Sequence, residues 1–157
     1  MKPVKILFVC LGNICRSPAA EGIMKKLTEG LPVEVDSAGT AGYHIGDLPD
    51  ARMRSHARTR GYILDSRARQ FDETNDFEKF DYIITMDKSN LRDIQSLDRH
   101  RKYRNKVSLM TDYAQTLHVS EVPDPYYGGP DGFEHVLDIL EDACNGLLKN
   151  IGMDRKQ

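Results

Sequence analysis

The sequence predicts an α/β protein, one domain on a mostly parallel sheet with helices packed over it. Three observations carry this. Apolar strand-like runs alternate with segments of helical spacing along the chain. The first run, Lys5–Val9 (KILFV), is continuously apolar rather than alternating, as in a strand buried on both faces. And 157 residues are enough for one ordinary core and too few for two.

The elements follow in order. After Lys5–Val9 comes a short loop, then Pro18 placed for the first turn of a helix with Ser17 as its expected N-cap. Ala20, Ile23, Met24 and Leu27 keep helical spacing until Gly30 and Pro32 stop it. Val33–Ala38 reads as a second strand, so the opening is a strand, helix, strand crossover. The stretch from Gly39 to Pro49 reads as a loop with Tyr43 exposed. Asp50–Arg60 reads as a helix closed by Gly61. Tyr82–Met86 is a third strand, Lys88–Leu97 a polar helix, and Lys106–Met110 a weaker fourth strand. Val122–Asp131, broken by Pro and Gly, is expected to be loop. Phe133, Val136, Leu137, Leu140, Cys144, Leu147, Leu148 and Ile151 trace one face of a long last helix. No repeat, linker or low-complexity tract divides the chain, so 1–157 is expected to be one functional domain.

Composition limits function. Hydrophobic residues make up 39% and charged residues 29%, the balance of a globular chain. With 22 Lys+Arg against 24 Asp+Glu the net charge is -2, and a nucleic-acid partner is not expected. Three cysteines do not make a disulfide scaffold. No apolar window is long enough for a membrane span, and the N-terminal stretch lacks a signal-peptide cleavage site, so the expected compartment is the cytoplasm. The five histidines show no metal-ligand spacing.

Chemistry concentrates in Cys10–Ser17 (CLGNICRS). A Cys and an Arg six positions apart mean little alone. Between a buried strand and a helix start, they fall where phosphate-binding loops occur. Gly12 and Asn13 can take backbone angles that turn N–H groups inward as an anion nest. Arg16 offers a planar fork for two phosphate oxygens, and Ser17 can donate to a nearby thiolate. Cys10, facing the nest, the helix N-terminus and Arg16, sits where thiolate is favoured over thiol. The loop has a single Gly and no Gly-Lys-Ser/Thr ending, which separates it from nucleotide-binding P-loops. A nucleophile also needs an acid to protonate the leaving oxygen. Asp124, flanked by Pro123 and Pro125, is the best candidate, held protonated by a partly apolar loop facing a dianion. On composition alone, an ordinary Asp-Pro turn explains it better.

CLGNICRSP after the first strand, DSAGT in the second, MDKSNL after the third and DPYYGG before the last helix together resemble the low-molecular-weight protein tyrosine phosphatases, in order and over nearly the whole chain. The resemblance implies a four-stranded parallel sheet with helices on both faces. It implies hydrolysis of protein phosphotyrosine through a phosphocysteine intermediate, without metal or other cofactor. It makes Cys10 the nucleophile, Arg16 the phosphate clamp and Asp124 the general acid, with Asn13 and Ser17 supporting the loop. Leu11, Ile14, Tyr43 and Tyr126 become pocket walls, joined by Tyr127. One departure is Ser66, where the family often has a His that braces the loop, which puts the wiring of Asn13 and Ser37 in question. Cys15 carries two compatible readings: partner of Cys10 in a reversible protective disulfide, which the resemblance supports, or a small residue packed beneath the loop. Cys144 reads as an inert core residue.

Two relatives of the loop are rivals. Thiol-dependent arsenate reductases need two further cysteines, and none lies between Cys15 and Cys144. Protein-arginine phosphatases tend to carry Thr where Ile14 stands, and a bulky Ile suits a flat phenyl ring. Expected partners are tyrosine-phosphorylated proteins, a bacterial tyrosine kinase among them. The resemblance also allows release from the cell without a signal peptide, as for some bacterial relatives. Oligomeric state is not legible, and a monomer is assumed. Finally, Ala51–Phe71 holds six Arg and one Asp, while Val107–Leu148 holds acids and no Lys or Arg. The first reads as a solvated helix face.

Overall fold

A computed structural model describes residues 2–127 and 129–153, with the side chains of 127 and 129 outside that description. Four strands, β1 (Val4–Cys10), β2 (Val33–Gly39), β3 (Tyr82–Thr85) and β4 (Val107–Leu109), form one sheet in the order β2-β1-β3-β4. Every pairing is parallel, with Cys10 opposite Gly39 and Val9 opposite Thr85. Five α-helices surround the sheet: α1 (Arg16–Leu27), α2 (Ala51–Thr59), α3 (Asp76–Lys79), α4 (Lys88–Leu97) and α5 (Gly129–Asn150).

The apolar run of β1 is buried on both sides. Ile6 and Phe8 face a core shared with Ala20, Ile23 and Met24 of α1 and Val136, Leu140 and Leu147 of α5. Leu7 and Val9 face a second core with Phe77, Phe80, Ile83 and Ile94. Alternate side chains of one strand thus feed two cores, and none of these four is exposed. The strand order reverses direction at β1 and β3, and the crevice beyond the carboxyl ends of these strands is where open α/β sheets bind ligands. The Cys10 loop emerges there.

The structure moves several expected boundaries. Cys15, not Ser17, stands at the N-cap of α1 and gives no side-chain cap, so Ser17 lies inside the helix, where its hydroxyl serves the loop. Asp50 is the N-cap of α2 rather than its first residue, accepting from the N–H groups of Arg52 and Met53. The 122–131 region is not wholly loop: a 3-10 turn runs over Pro125–Tyr127 and α5 begins at Gly129. Gly and Pro are tolerated in the first turn of a helix, where N–H groups lack intrahelical partners in any case. α3 and the short 3-10 turns were not expected, being too short for a periodic signal.

The charge blocks of the sequence meet in space. Arg60 at the end of α2 pairs with Glu134, Asp138 and Glu141 of α5, and His56 bonds Glu134. Arg52, Arg58 and Arg67 of the Arg-rich stretch are exposed, as a solvated face would be, whereas Arg60 and Arg69 are tied to carboxylates of other elements.

Candidate active site

The backbone of 10–15 is held from outside through its carbonyls. Those of Cys10, Leu11 and Ile14 accept from the N–H groups of Thr40, Ala41 and Asp50, and that of Cys15 from Ala19 in α1. The N–H groups of residues 11–15 have no acceptor among the described residues. A loop with carbonyls turned out and amides unpaired is an anion nest at a helix N-terminus. Asn13 makes the turn, with φ 56 in the left-handed region that Asn tolerates better than most residues. Gly12 is not left-handed. Its reason is space, since a Cβ there would lie 3.0 Å from Cδ2 of His44.

Beneath the loop runs a hydrogen-bond chain that diverges from Asn13, the donor to both of its serine neighbours. The Glu21 carboxylate accepts from Ser37 Oγ at 2.5 Å. Asn13 Nδ2 donates to Ser37 Oγ and to Ser17 Oγ, both at 2.9 Å. The Ser17 hydroxyl, already accepting from Asn13, turns its proton to Cys10 Sγ at 3.0 Å. Asn13 Oδ1 accepts the N–H of Arg69 at 3.0 Å, and Arg69 is itself clamped by Asp36 and Asp76. Asn13, Ser17, Glu21 and Ser37 are all buried. The wiring of Asn13 and Ser37 is thus present with Ser66 in place, and Glu21 carries it on to Lys25, whose Nζ donates to its other oxygen at 2.6 Å.

Arg16 is buried, and its Nη1 donates to Asp87 Oδ2 at 2.8 Å and to the Val122 carbonyl at 3.1 Å. Its Nε and Nη2 have no acceptor among the described residues and remain for a ligand. Burial works against the guanidinium charge, but Cys10 and the hydrogen-bonded Asp87 outweigh it and hold the pKa of Arg16 above its ordinary value. Burial pushes the Cys15 thiol up, aided by neighbouring Cys10, so Cys15 stays protonated. All three cysteines are free and buried, Cys144 fully so on the core face of α5.

Cys10, Leu11, Gly12, Ile14, Cys15 and Arg16 line a cleft of about 90 Å³, closed by Tyr43, His44, Asp124 and Tyr126. Asp124 Oδ1 accepts the N–H of Tyr126 at 3.0 Å, so the Asp-Pro turn and the placement of a carboxyl in the cleft are one feature. Tyr43 is 78% exposed and Leu11 and Tyr126 each 45%, forming an apolar rim. Arg52 stands over the Tyr126 ring at 4.9 Å and pairs with Asp50. Burial, then the Asp50 carboxylate, raise the Tyr126 phenol above its usual range. The side chain of Tyr127 lies outside the described residues.

Every expected site residue with a described side chain is therefore in the cleft or directly beneath it. Sequence reasoning missed Asp87, Glu21, Asp50 and His44. Asp87 had a signal, an acid directly before a helix in MDKSNL. Glu21 had none, since a Glu on a helix normally faces water.

The cleft thus brings together a thiol, a helix N-terminus with unpaired N–H groups and a buried guanidinium. The family described as "Low molecular weight phosphotyrosine protein phosphatase" matches residues 5–157. A relative from Synechocystis sp. that carries the family's name is 51% identical over 155 residues, covering 96% of this chain and 98% of that one. The crystal structure of a protein tyrosine phosphatase from Entamoeba histolytica, with Hepes in its active site, superposes with TM-score 0.89 at 46% identity, covering 95% and 97% of the two chains. An arginine phosphatase from Drosophila superposes with TM-score 0.87 at 32% identity, over 94% and 98%. The chain belongs to the low molecular weight phosphotyrosine protein phosphatase family.

Proposed function

We propose that this chain hydrolyses protein phosphotyrosine to tyrosine and phosphate through a phosphocysteine. The observation that carries the reading is the ring of unpaired N–H groups over residues 11–15, with Cys10 at its base and two free donors of Arg16 at its edge. The Cys10 thiolate attacks phosphorus in line while those donors hold the equatorial oxygens. The bond from phosphorus to the tyrosine oxygen breaks, and Asp124 delivers a proton to that oxygen. Asp124 then accepts a proton from water, which attacks the phosphocysteine and frees Cys10 and phosphate. No step draws on a metal or cofactor.

Ile14 in the cleft wall, with Leu11, Tyr43 and Tyr126 at the rim, favours a flat aryl phosphate. The Drosophila neighbour makes phosphoarginine the second reading, and Ile14 argues against it. The substrates are tyrosine-phosphorylated proteins, a tyrosine kinase among them, met in the cytoplasm by a monomer. Among the described residues no helix is long and apolar enough to cross a membrane. Reversible oxidation is a further part of this reading: a peroxide takes two electrons from Cys10 to give the sulfenic acid, and Cys15 displaces water from it to close a disulfide that a thiol reductant reopens.

The test compares phosphotyrosyl, phosphoarginyl and phosphoseryl peptides with chelator present. Phosphotyrosine is preferred. Cys10→Ser abolishes turnover yet still binds inorganic phosphate, and Asp124→Ala slows turnover by about 10²–10⁴ while trapping substrate. Phosphotyrosine hydrolysis that survives in Cys10→Ser overturns the assignment.

A further inference from the structure

At the end of α4 the chain enters a run of unusual charge. Residues 99–106 hold five of the 22 Lys and Arg, with His100, and no acid. Arg99, His100, Arg101, Lys102 and Arg104 are exposed, and among the described residues none of these Lys or Arg pairs with a carboxylate. The loop is nonetheless built, not loose. Buried Asp98 accepts the N–H of Tyr103 at 3.0 Å, and its carbonyl accepts that of Arg101, which sits at φ 54. Tyr103 stacks on Phe77 with ring centroids 5.1 Å apart and planes 4° from parallel. Lys106 Nζ donates to the Phe77 carbonyl at 2.8 Å. Beside this loop lies a groove of about 380 Å³, wider than the catalytic cleft, with Phe77, Leu97 and Tyr103 as apolar lining and Arg99, His100 and Lys102 as basic lining. Glu73 is the one exposed acid on it.

We propose that this groove docks a short acidic peptide segment of a partner protein, with an apolar side chain seated against the half-buried Leu97 and the edge of Tyr103. The chemistry selects the occupant. Guanidinium and ammonium groups with no ion-paired carboxylate among the described residues, around a partly apolar recess, complement carboxylates flanking an apolar anchor. A nucleic acid is less well served: Tyr103 is covered by Phe77 and approached by the ammonium groups of Lys102 and Lys106 at 5.2 and 5.3 Å, so no bare ring is offered for base stacking. An extended polyanion or an anionic membrane would also meet the remainder of the chain, which carries a clear excess of acid once these five cations are set aside. A few residues of acidic peptide touch only the basic pole. The ten residues of α4 separate this groove from the Arg16–Asp87 pair by roughly 15 Å, so docking leaves the cleft open.

The test is fluorescence anisotropy with a labelled, unphosphorylated peptide of Glu residues around a single Leu. Saturable binding that weakens with added salt is expected. Arg99→Glu combined with Lys102→Glu weakens it by roughly tenfold or more, with an unchanged melting temperature and unchanged hydrolysis of a small aryl phosphate. Arg58→Glu, an exposed reversal on α2, leaves binding intact. If the double reversal lowers the melting temperature, Arg99→Gln with Lys102→Gln replaces it, with the same loss expected. The proposal is overturned by absence of saturable binding, by equal loss in Arg58→Glu, or by tighter binding of phosphatidylserine vesicles or a single-stranded oligonucleotide through the same residues. None of these outcomes depends on whether the cleft acts on phosphotyrosine, which the aryl phosphate assay reads separately.

Discussion

Asn13 does two jobs that different substitutions separate. Its left-handed backbone turns the loop, and its side chain ties Ser17, Ser37 and Arg69 together. Asn13→Gly keeps the turn and loses the ties, whereas Asn13→Ala loses both. Ala should therefore be less stable than Gly by about 1 kcal/mol in denaturant unfolding, while both variants lose kcat, because Ser17 is no longer anchored against Cys10. Equal stability of the two would remove the backbone argument. The residue types of this loop were legible as anion-binding chemistry, since nucleophile, fork and turn-former fall in one short segment. Glu21 was not legible. Its burial depends on Ser37 arriving from β2, which no local pattern encodes. His44 carries no local signal either, and its meeting with Gly12 is a contact between two loops.

Among the elements, α5 shows how packing sets a residue that sequence treats as neutral. Gly146 lies mid-helix, where Gly costs about 1 kcal/mol relative to Ala. Here a Cβ would fall inside van der Waals distance of the Tyr113 carbonyl oxygen. Gly146→Ala should thus destabilise by about 3 kcal/mol despite its better helix propensity, lowering Tm by about 2–4 °C per kcal/mol. A rise in Tm would show that the 110–113 turn yields easily. The long strands and helices were legible because their apolar periodicity is strong: α4 runs over Lys88–Leu97 as the sequence predicts. The start of α5 was not, because Gly129, Pro130 and Gly132 look like loop. Gly132 instead packs close against the backbone of Pro125, a close approach that follows from folding.

For the molecule as a whole, stability should hold over a plateau bounded on both sides. Asp50 and Asp142 lose by burial but gain more from donors: Arg52 and the N–H groups of 52 and 53 for Asp50, and the N–H groups of 115–117 for Asp142. Glu134 is likewise lowered, first by Arg60 and then by His56. Carboxyls with folded pKa values below their unfolded ones contribute stability that is present above about pH 4 and is lost as pH falls through the folded values. Cys15 and Cys144 are raised by burial. Their contribution is full below the unfolded thiol value of about 8.5 and falls above it. Denaturant midpoints measured from pH 3 to 10 should be flat between about 5 and 8 and fall on either side. A maximum below pH 4 would sink the acid-side account. By itself, the sequence determined the parallel α/β plan and the anion-binding character of residues 10–17, because buried-strand runs, helix starts and loop chemistry are written in adjacent residues. Only the tertiary structure decided the rest. Glu21, Asp87 and His44 reached the site, Arg60 found three acids on α5, and the 99–106 cations gathered beside Phe77. These depend on side chains distant in sequence becoming neighbours, and that is settled by how helices pack on the sheet rather than by any local pattern.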